Sequence, residues 1–133
     1  MNRFNIGDSV SVSKIISDET VRKYADVSDD HNPIHLDDES AKNSIFGRRV
    51  VHGMLVASYI SSVIGSEFPG AGSIYMSQSL RFEAPVYIDD TISITVTIVD
   101  ISDRGNATLE TLVKNQEDKI VISGEALVKL PTQ

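Results

Sequence analysis

The sequence predicts an α+β fold in which a curved antiparallel sheet wraps one long, buried helix. Three observations predict it. From Met54 to Ile64 every residue is apolar or serine, and a helix apolar nearly all round is expected to be enclosed instead of laid on a surface. From Ile74 onward the chain turns β-rich, in runs separated by breakers and hairpin turns. Ahead of the helix stand one alternating segment and two short helical stretches. A chain of 133 residues makes most simply one domain, and nothing divides residues 1–133 into repeats or linker-joined parts.

The elements follow in order. Val10 to Ile16 alternates apolar and polar residues and reads as a short, half-buried strand. Ser17 is a good N-cap for a helix from Asp18 to about Val27, with Asp18 and Glu19 placed to complement its dipole. Val21, Tyr24, Ala25 and Ser28 share one face of that helix. Pro33 drives Asn32 toward extended geometry, so the helix stops before it. Asp37 to Ser44 suits a second short helix, and Glu67–Ser73 is a breaker-rich loop that closes the long one. Ile74–Phe82, Thr91–Ile101, Ala107–Asn115 and Ile120–Leu130 read as strands. Asp103–Asn106 and Asn115–Asp118 supply hairpin turns. Ser93, Thr95 and Thr97 alternate with Ile92, Ile94, Val96 and Ile98, as in a strand with one wetter face.

Composition narrows the function. The apolar and charged fractions, 41% and 23%, are those of an ordinary folded domain and exclude a disordered chain. A formal charge of −7 argues against a general binder of nucleic acid or anionic membrane, since both favour a basic face. With no cysteine, disulfides, thiolate nucleophiles and cysteine-liganded metals are out of reach. The first residues lack the apolar core of a secretory signal, and Val50–Ile64 is too short and too often interrupted to span a bilayer. A cytoplasmic, soluble protein is the expectation.

The chemistry concentrates in Asp30-His-Asn-Pro-Ile-His35 and Val51-His-Gly-Met54. Asn32-Pro33 stiffens the turn between Asp30 and His35. A carboxylate and an imidazole held toward one point can position a water and exchange protons with it. The plainer reading is local: Asp30 caps a turn and His35 is a surface histidine. Gly53 opens the long helix, so its N–H has no intrahelical partner and lies at the positive end of the dipole, where it can bind an oxyanion. Close backbone packing would equally explain a glycine there. His52 reads as a structural hydrogen bond at the helix entrance. The spacing from His35 to His52 matches no compact zinc motif, no third ligand is evident, and no metal is expected. Ser58, Ser61 and Ser62 suit bonds back to their own turn, and no G-x-S-x-G elbow supports a serine nucleophile. Lys42, Arg48 and Arg49 form the local basic cluster, available to ligand phosphates or simply solvated.

Taken with Gly72-Ser-Ile-Tyr75, Gln78-Ser-Leu-Arg-Phe82 and the Gly124–Pro131 ending, these segments resemble the MaoC-like (R)-specific enoyl-CoA hydratases. The likeness is to the short, single-domain hydratases that supply polyhydroxyalkanoate synthesis. The resemblance implies a hotdog fold with Met54–Ile64 as its central helix. It also implies a homodimer or dimer-based oligomer with active sites near the interface, and an acyl-CoA substrate with no cofactor. Asp30 and His35 would hold the catalytic water and the Gly53 N–H would polarise the thioester carbonyl. Asn32 would orient the dyad, and Ser61 would help fix Asp30 from the helix side. Met54, Leu55 and Tyr59 beside the helix, with Arg48 and Arg49, would contact substrate. The implied reaction is reversible syn addition of water to a trans-2-enoyl-CoA, giving the (R)-3-hydroxyacyl-CoA, with short acyl chains expected. A hotdog thioesterase would usually carry a carboxylate on the central helix, and Met54–Ile64 has none. A non-catalytic acyl-thioester-binding subunit would be expected to lack Asp30 or His35, and both are present.

Overall fold

In the computed structural model, residues 3–132 are described. The elements run β1 (Ser9–Ile15), α1 (Asp18–Ser28), α2 (Pro33–Leu36), α3 (Asp38–Lys42), α4 (Gly53–Ser66), β2 (Ile74–Gln78), β3 (Arg81–Phe82), β4 (Thr91–Ile101), β5 (Asn106–Lys114) and β6 (Ile120–Lys129). All pairings are antiparallel, in the order β1-β4-β5-β6-β2, with β3 also on β6. The sheet stays open, and α4 is packed on one of its faces.

Strand β4 shows why the layers form. Ile92, Ile94, Val96 and Ile98 are buried and meet the α4 residues Val56, Ile60, Val63 and Ile64 in one core. The intervening hydroxyls face outward, where Ser9 pairs with Thr97 at 2.8 Å and Ser11 with Thr95, tying β1 to β4. The period-two pattern therefore satisfies both faces at once.

Three features depart from the sequence reading. The stretch Ile74–Phe82 is not one strand, because it breaks at Ser79–Leu80. There the Ser79 carbonyl lies against Gly124 so closely that a Cβ on Gly124 would sit 2.0 Å from it, and Gln78 Nε2 donates to Thr111 Oγ1 at 2.9 Å. The helix expected over Asp37–Ser44 is present as α3, capped by Asp37, but an additional single turn, α2, capped by Asn32, precedes it. Third, α4 is not enclosed all round. Met54, Ser58, Ser61 and Ser62 are exposed, since the serines recur on one face of the helix while the larger apolar residues take the others.

Candidate active site

Asp30 and His35 arrive at one place through local capping. The α1 C-cap, Asp29, takes the left-handed conformation (φ 62°) and turns the chain outward. Asp30 N–H then donates to Ser28 Oγ, and the Asp30 carboxylate accepts the Asn32 N–H, each at 3.2 Å. Asn32 Oδ1 accepts from Ile34 N–H at 3.3 Å, and Pro33 sits at the first helical position, where its missing N–H costs nothing. That single turn of helix swings His35 inward.

His35 is held from several sides. Its Nδ1–H donates to the Val50 carbonyl at 2.8 Å, Val50 N–H donates to the Ile34 carbonyl at 3.2 Å, and Arg49 Nε donates to the His35 carbonyl at 2.8 Å. With Nδ1 as donor, the neutral ring offers the Nε2 lone pair as its free acceptor. Burial pushes the His35 pKa below the ordinary histidine value. The neighbouring His52 adds to that shift, and the Val50 bond and the Asp30 charge oppose it.

His52 lies 2% exposed immediately before α4, and its Nε2–H donates to the Asp30 carbonyl at 3.0 Å. This is the structural bond at the helix entrance that its position suggests. Helix α4 has no side-chain cap, so the Gly53 N–H is left without an acceptor among the described residues. A side chain here would be resisted, because a Cβ on Gly53 would come within 2.8 Å of the Phe82 ring.

Asp30, His35, His52, Gly53 and Met54 line one cavity of about 530 Å³, walled also by Ile34, Phe46, Val56, Phe82, Pro85, Val86 and Ile122. Its lining is mainly apolar with a few converging polar groups, as in small-molecule sites generally. The third potential ligand absent from the sequence spacing does occur: Asp30, His35 and His52 can place ligand atoms within 4.8 Å of one another. Each ring donates one N–H to a backbone carbonyl, His35 from Nδ1 to Val50 and His52 from Nε2 to Asp30, which leaves His35 Nε2 and His52 Nδ1 without a partner among the described residues. His52 Nδ1 is buried, so the nitrogen left open beside the Asp30 carboxylate is His35 Nε2, and the two make a pair suited to moving protons.

Other residues expected at the site fall elsewhere. Leu55 turns into the sheet core, and Tyr59, one turn further on, follows it and packs half-buried with Lys14 Nζ 5.8 Å from its ring centre. Ser61 lies exposed two turns along α4 and is not among the hydrogen-bond partners of Asp30 within the chain. Arg49 is no free phosphate ligand. Its side chain is 11% exposed and bonded to Asp18 as well as to the His35 carbonyl, so it braces α1 and α2. Arg48 is exposed and stacks on Tyr87, 3.8 Å from the ring centre, with its guanidinium open to solvent. Sequence reasoning did not single out Phe82, Val86 or Ile122 as cavity walls. They come from strands and loops remote in sequence, and only the Phe82 motif gave any signal.

The MaoC like domain family matches residues 4–120. The chain is 39% identical to an (R)-specific enoyl-CoA hydratase of Rhodospirillum rubrum over 127 residues, 96% of this chain and 88% of that protein. It is 41% identical to a mitochondrial 3-hydroxyacyl-[acyl-carrier-protein] dehydratase of Arabidopsis thaliana, over 95% of this chain and 77% of that one. Among solved structures, the (R)-hydratase from A. caviae involved in PHA biosynthesis superposes with a TM-score of 0.95 at 39% identity, covering 98% of this chain and 100% of that one.

Proposed function

The chain belongs to the MaoC-like family, with the hotdog fold of its hydratases, and from that premise we propose that it is an (R)-specific enoyl-CoA hydratase acting on short trans-2-enoyl-CoA thioesters. One observation carries the reading: a free imidazole nitrogen, a carboxylate and an unpaired helix-start N–H line the same apolar cavity.

The thioester withdraws electrons, so water attacks C3 and negative charge collects on the thioester oxygen. The Gly53 N–H, at the positive end of the fourteen-residue α4, stabilises that oxygen as charge develops. His35 Nε2 and the Asp30 carboxylate hold the water between them, and the pair takes one of its protons. The same proton passes to C2 on the same face, which balances the addition and makes it syn. The two groups titrate as a pair. In the reverse direction the pair withdraws the C2 proton and returns it to the departing hydroxyl.

Several features support the finer parts of the proposal. Val56, Val86 and Ile122 are 1%, 4% and 2% exposed and form a fixed inner wall, which favours short acyl chains. Arg48 is the free cation of the Arg48–Arg49 pair and suits the phosphates of CoA. Helix α4 carries no carboxylate, in keeping with attack at C3 instead of the thioesterase's attack at the carbonyl. The outer strand β2 exposes Ile74, Tyr75 and Met76, and the Met54–Ser62 face of α4 is uncovered, both of which favour a homodimer. Among the described residues, no helix is long and apolar enough to cross a membrane. A cytoplasmic role in polyhydroxyalkanoate supply accords with these relatives.

A second reading takes the acyl-carrier-protein thioester, as the name of the Arabidopsis relative suggests. The charge of −7 disfavours docking an acidic carrier. The test is to mix the protein with crotonyl-CoA and follow loss of the enoyl-thioester absorbance, assigning product chirality with an (R)-specific dehydrogenase. Rapid loss giving (R)-product without free CoA is expected. Release of free CoA would point to a thioesterase, and reaction only with crotonyl-carrier protein would establish the second reading.

A further inference from the structure

His52 lies at the meeting point of every group assigned to the chemistry. It immediately precedes Gly53, its Nε2 is 3.0 Å from the Asp30 carbonyl, and its ring lies 3.8 Å from that of His35 at an interplanar angle of 26°. Tyr24 of α1 meets it edge-on at 4.9 Å. We infer that His52 is a positioning residue of the dyad, whose ring, fixed as the neutral Nε2–H tautomer, carries the Asp30 backbone on one nitrogen and the His35 ring on one face. The inference rests on the hydratase reading and names the residue that sets its geometry.

The tautomer follows from the partners. A backbone carbonyl only accepts, so Nε2 must carry the proton. Nδ1 is then a bare lone pair, and it is buried with no hydrogen-bond partner. Buried polar atoms are almost always satisfied, so an empty one asks for a reason. Packing does not supply it: a phenyl ring would fill the same space and stack on His35 without leaving an acceptor unpaired. What a phenyl ring cannot do is donate to the Asp30 carbonyl. That bond joins the loop bearing the carboxylate to the first turn of α4, and so sets the separation of the proton pair from the Gly53 N–H.

The arrangement also constrains charge. The titratable groups facing His52 are Tyr24 from α1, Asp30 from the following loop and His35 from α2. A proton added to Nδ1 would be a buried donor without an acceptor, stacked on the ring that must itself accept a proton during turnover.

Two variants and one spectrum test this. His52→Phe keeps the stack and removes the donor, whereas His52→Gln restores an N–H near the position of Nε2. With crotonyl-CoA, a folded His52→Phe is expected to lose kcat by about 10²-fold, the scale of a misplacement near 1 Å, with KM little changed. His52→Gln should recover most of that loss. Nitrogen-15 NMR of the wild-type imidazoles should show His52 protonated at Nε2 only, and His52→Phe should shift the titration midpoint of His35. Wild-type kcat in folded His52→Phe, a His52→Gln as impaired as His52→Phe, or an Nδ1–H tautomer of His52 would each overturn the inference. A wild-type protein inert toward all enoyl thioesters would instead remove the hydratase reading. In that event the tautomer and the His35 titration still decide whether His52 positions the pair.

Discussion

Replacing His35 separates its chemical part from its structural one. The ring donates through Nδ1 to the Val50 carbonyl at 2.8 Å, which leaves Nε2 as the nitrogen open to the cavity. In His35→Asn the side-chain amide stands where Nδ1 stood, so the bond to Val50 is kept and Nε2 is lost. In His35→Ala both are lost. Val50 is 4% exposed, so in the alanine variant its carbonyl is left without that donor. An unsatisfied buried carbonyl costs about 1–3 kcal/mol. For a chain of this length each kcal/mol moves Tm by roughly 3–6 °C. The alanine variant should therefore melt at least several degrees below the asparagine variant, and loss of the stack on His52 deepens the drop. Activity sorts differently. Both variants lack the acid/base nitrogen, and both should lose ~10²–10⁴-fold in kcat. At about 1.36 kcal/mol per decade, that is ~2.7–5.4 kcal/mol of barrier. Enoyl-thioester absorbance gives kcat, and thermal circular dichroism gives Tm. Turnover within tenfold of wild type in a folded His35→Asn would refute the assignment of Nε2 to proton transfer. Equal melting of the two variants would refute the structural half of the argument.

Further expectations concern pH and the brace around α2. His35 is held below its ordinary value of 6.5, chiefly by burial, so the folded form takes up a proton less readily than the unfolded chain. The stability it contributes is present above the unfolded chain's 6.5 and is lost as the pH falls from there through the folded value. The acid limb of kcat/KM should accordingly lie below the ordinary histidine range, and a limb at or above that range would contradict the burial argument. Arg49→Met keeps most of the side-chain volume but removes the bonds to Asp18 and to the His35 carbonyl. Losing charge-assisted bonds of this kind costs about 1.5–3 kcal/mol, which urea denaturation would detect. The Asp18 carboxyl, held low first by Arg49 and then by Arg22, should move back toward its usual value. An unchanged denaturation midpoint would mean that Arg49 braces nothing.

Much of this molecule is legible along the chain because its signals are local. Strand β4 spans Thr91–Ile101, the run read from the sequence, with its buried alternation holding through Ile98, and Ser17 caps α1 as its position requires. Asn32-Pro33 caps and opens α2, after α1 has already ended at its left-handed C-cap Asp29. The single turn α2 is too short for any periodicity to register, although its cap and its proline are both visible in the sequence. The split between β2 and β3 depends on Gly124, a residue in another strand, and so escaped a reading made segment by segment.

For the site, the sequence by itself determined the candidate groups, the stiff turn that carries Asp30 and His35, and the glycine that opens α4. These depend on neighbours a few residues apart, whose backbone preferences and capping bonds act before any tertiary contact forms. Only the tertiary structure decided which nitrogen of His35 is free, that His52 bonds the Asp30 carbonyl, that Arg49 turns inward while Arg48 stays out, and that Phe82, Val86 and Ile122 wall the cavity. Those outcomes join segments far apart in the chain. They are set by which buried donors can reach which buried acceptors once α4 is packed against the sheet, and no spacing along the sequence encodes that distance.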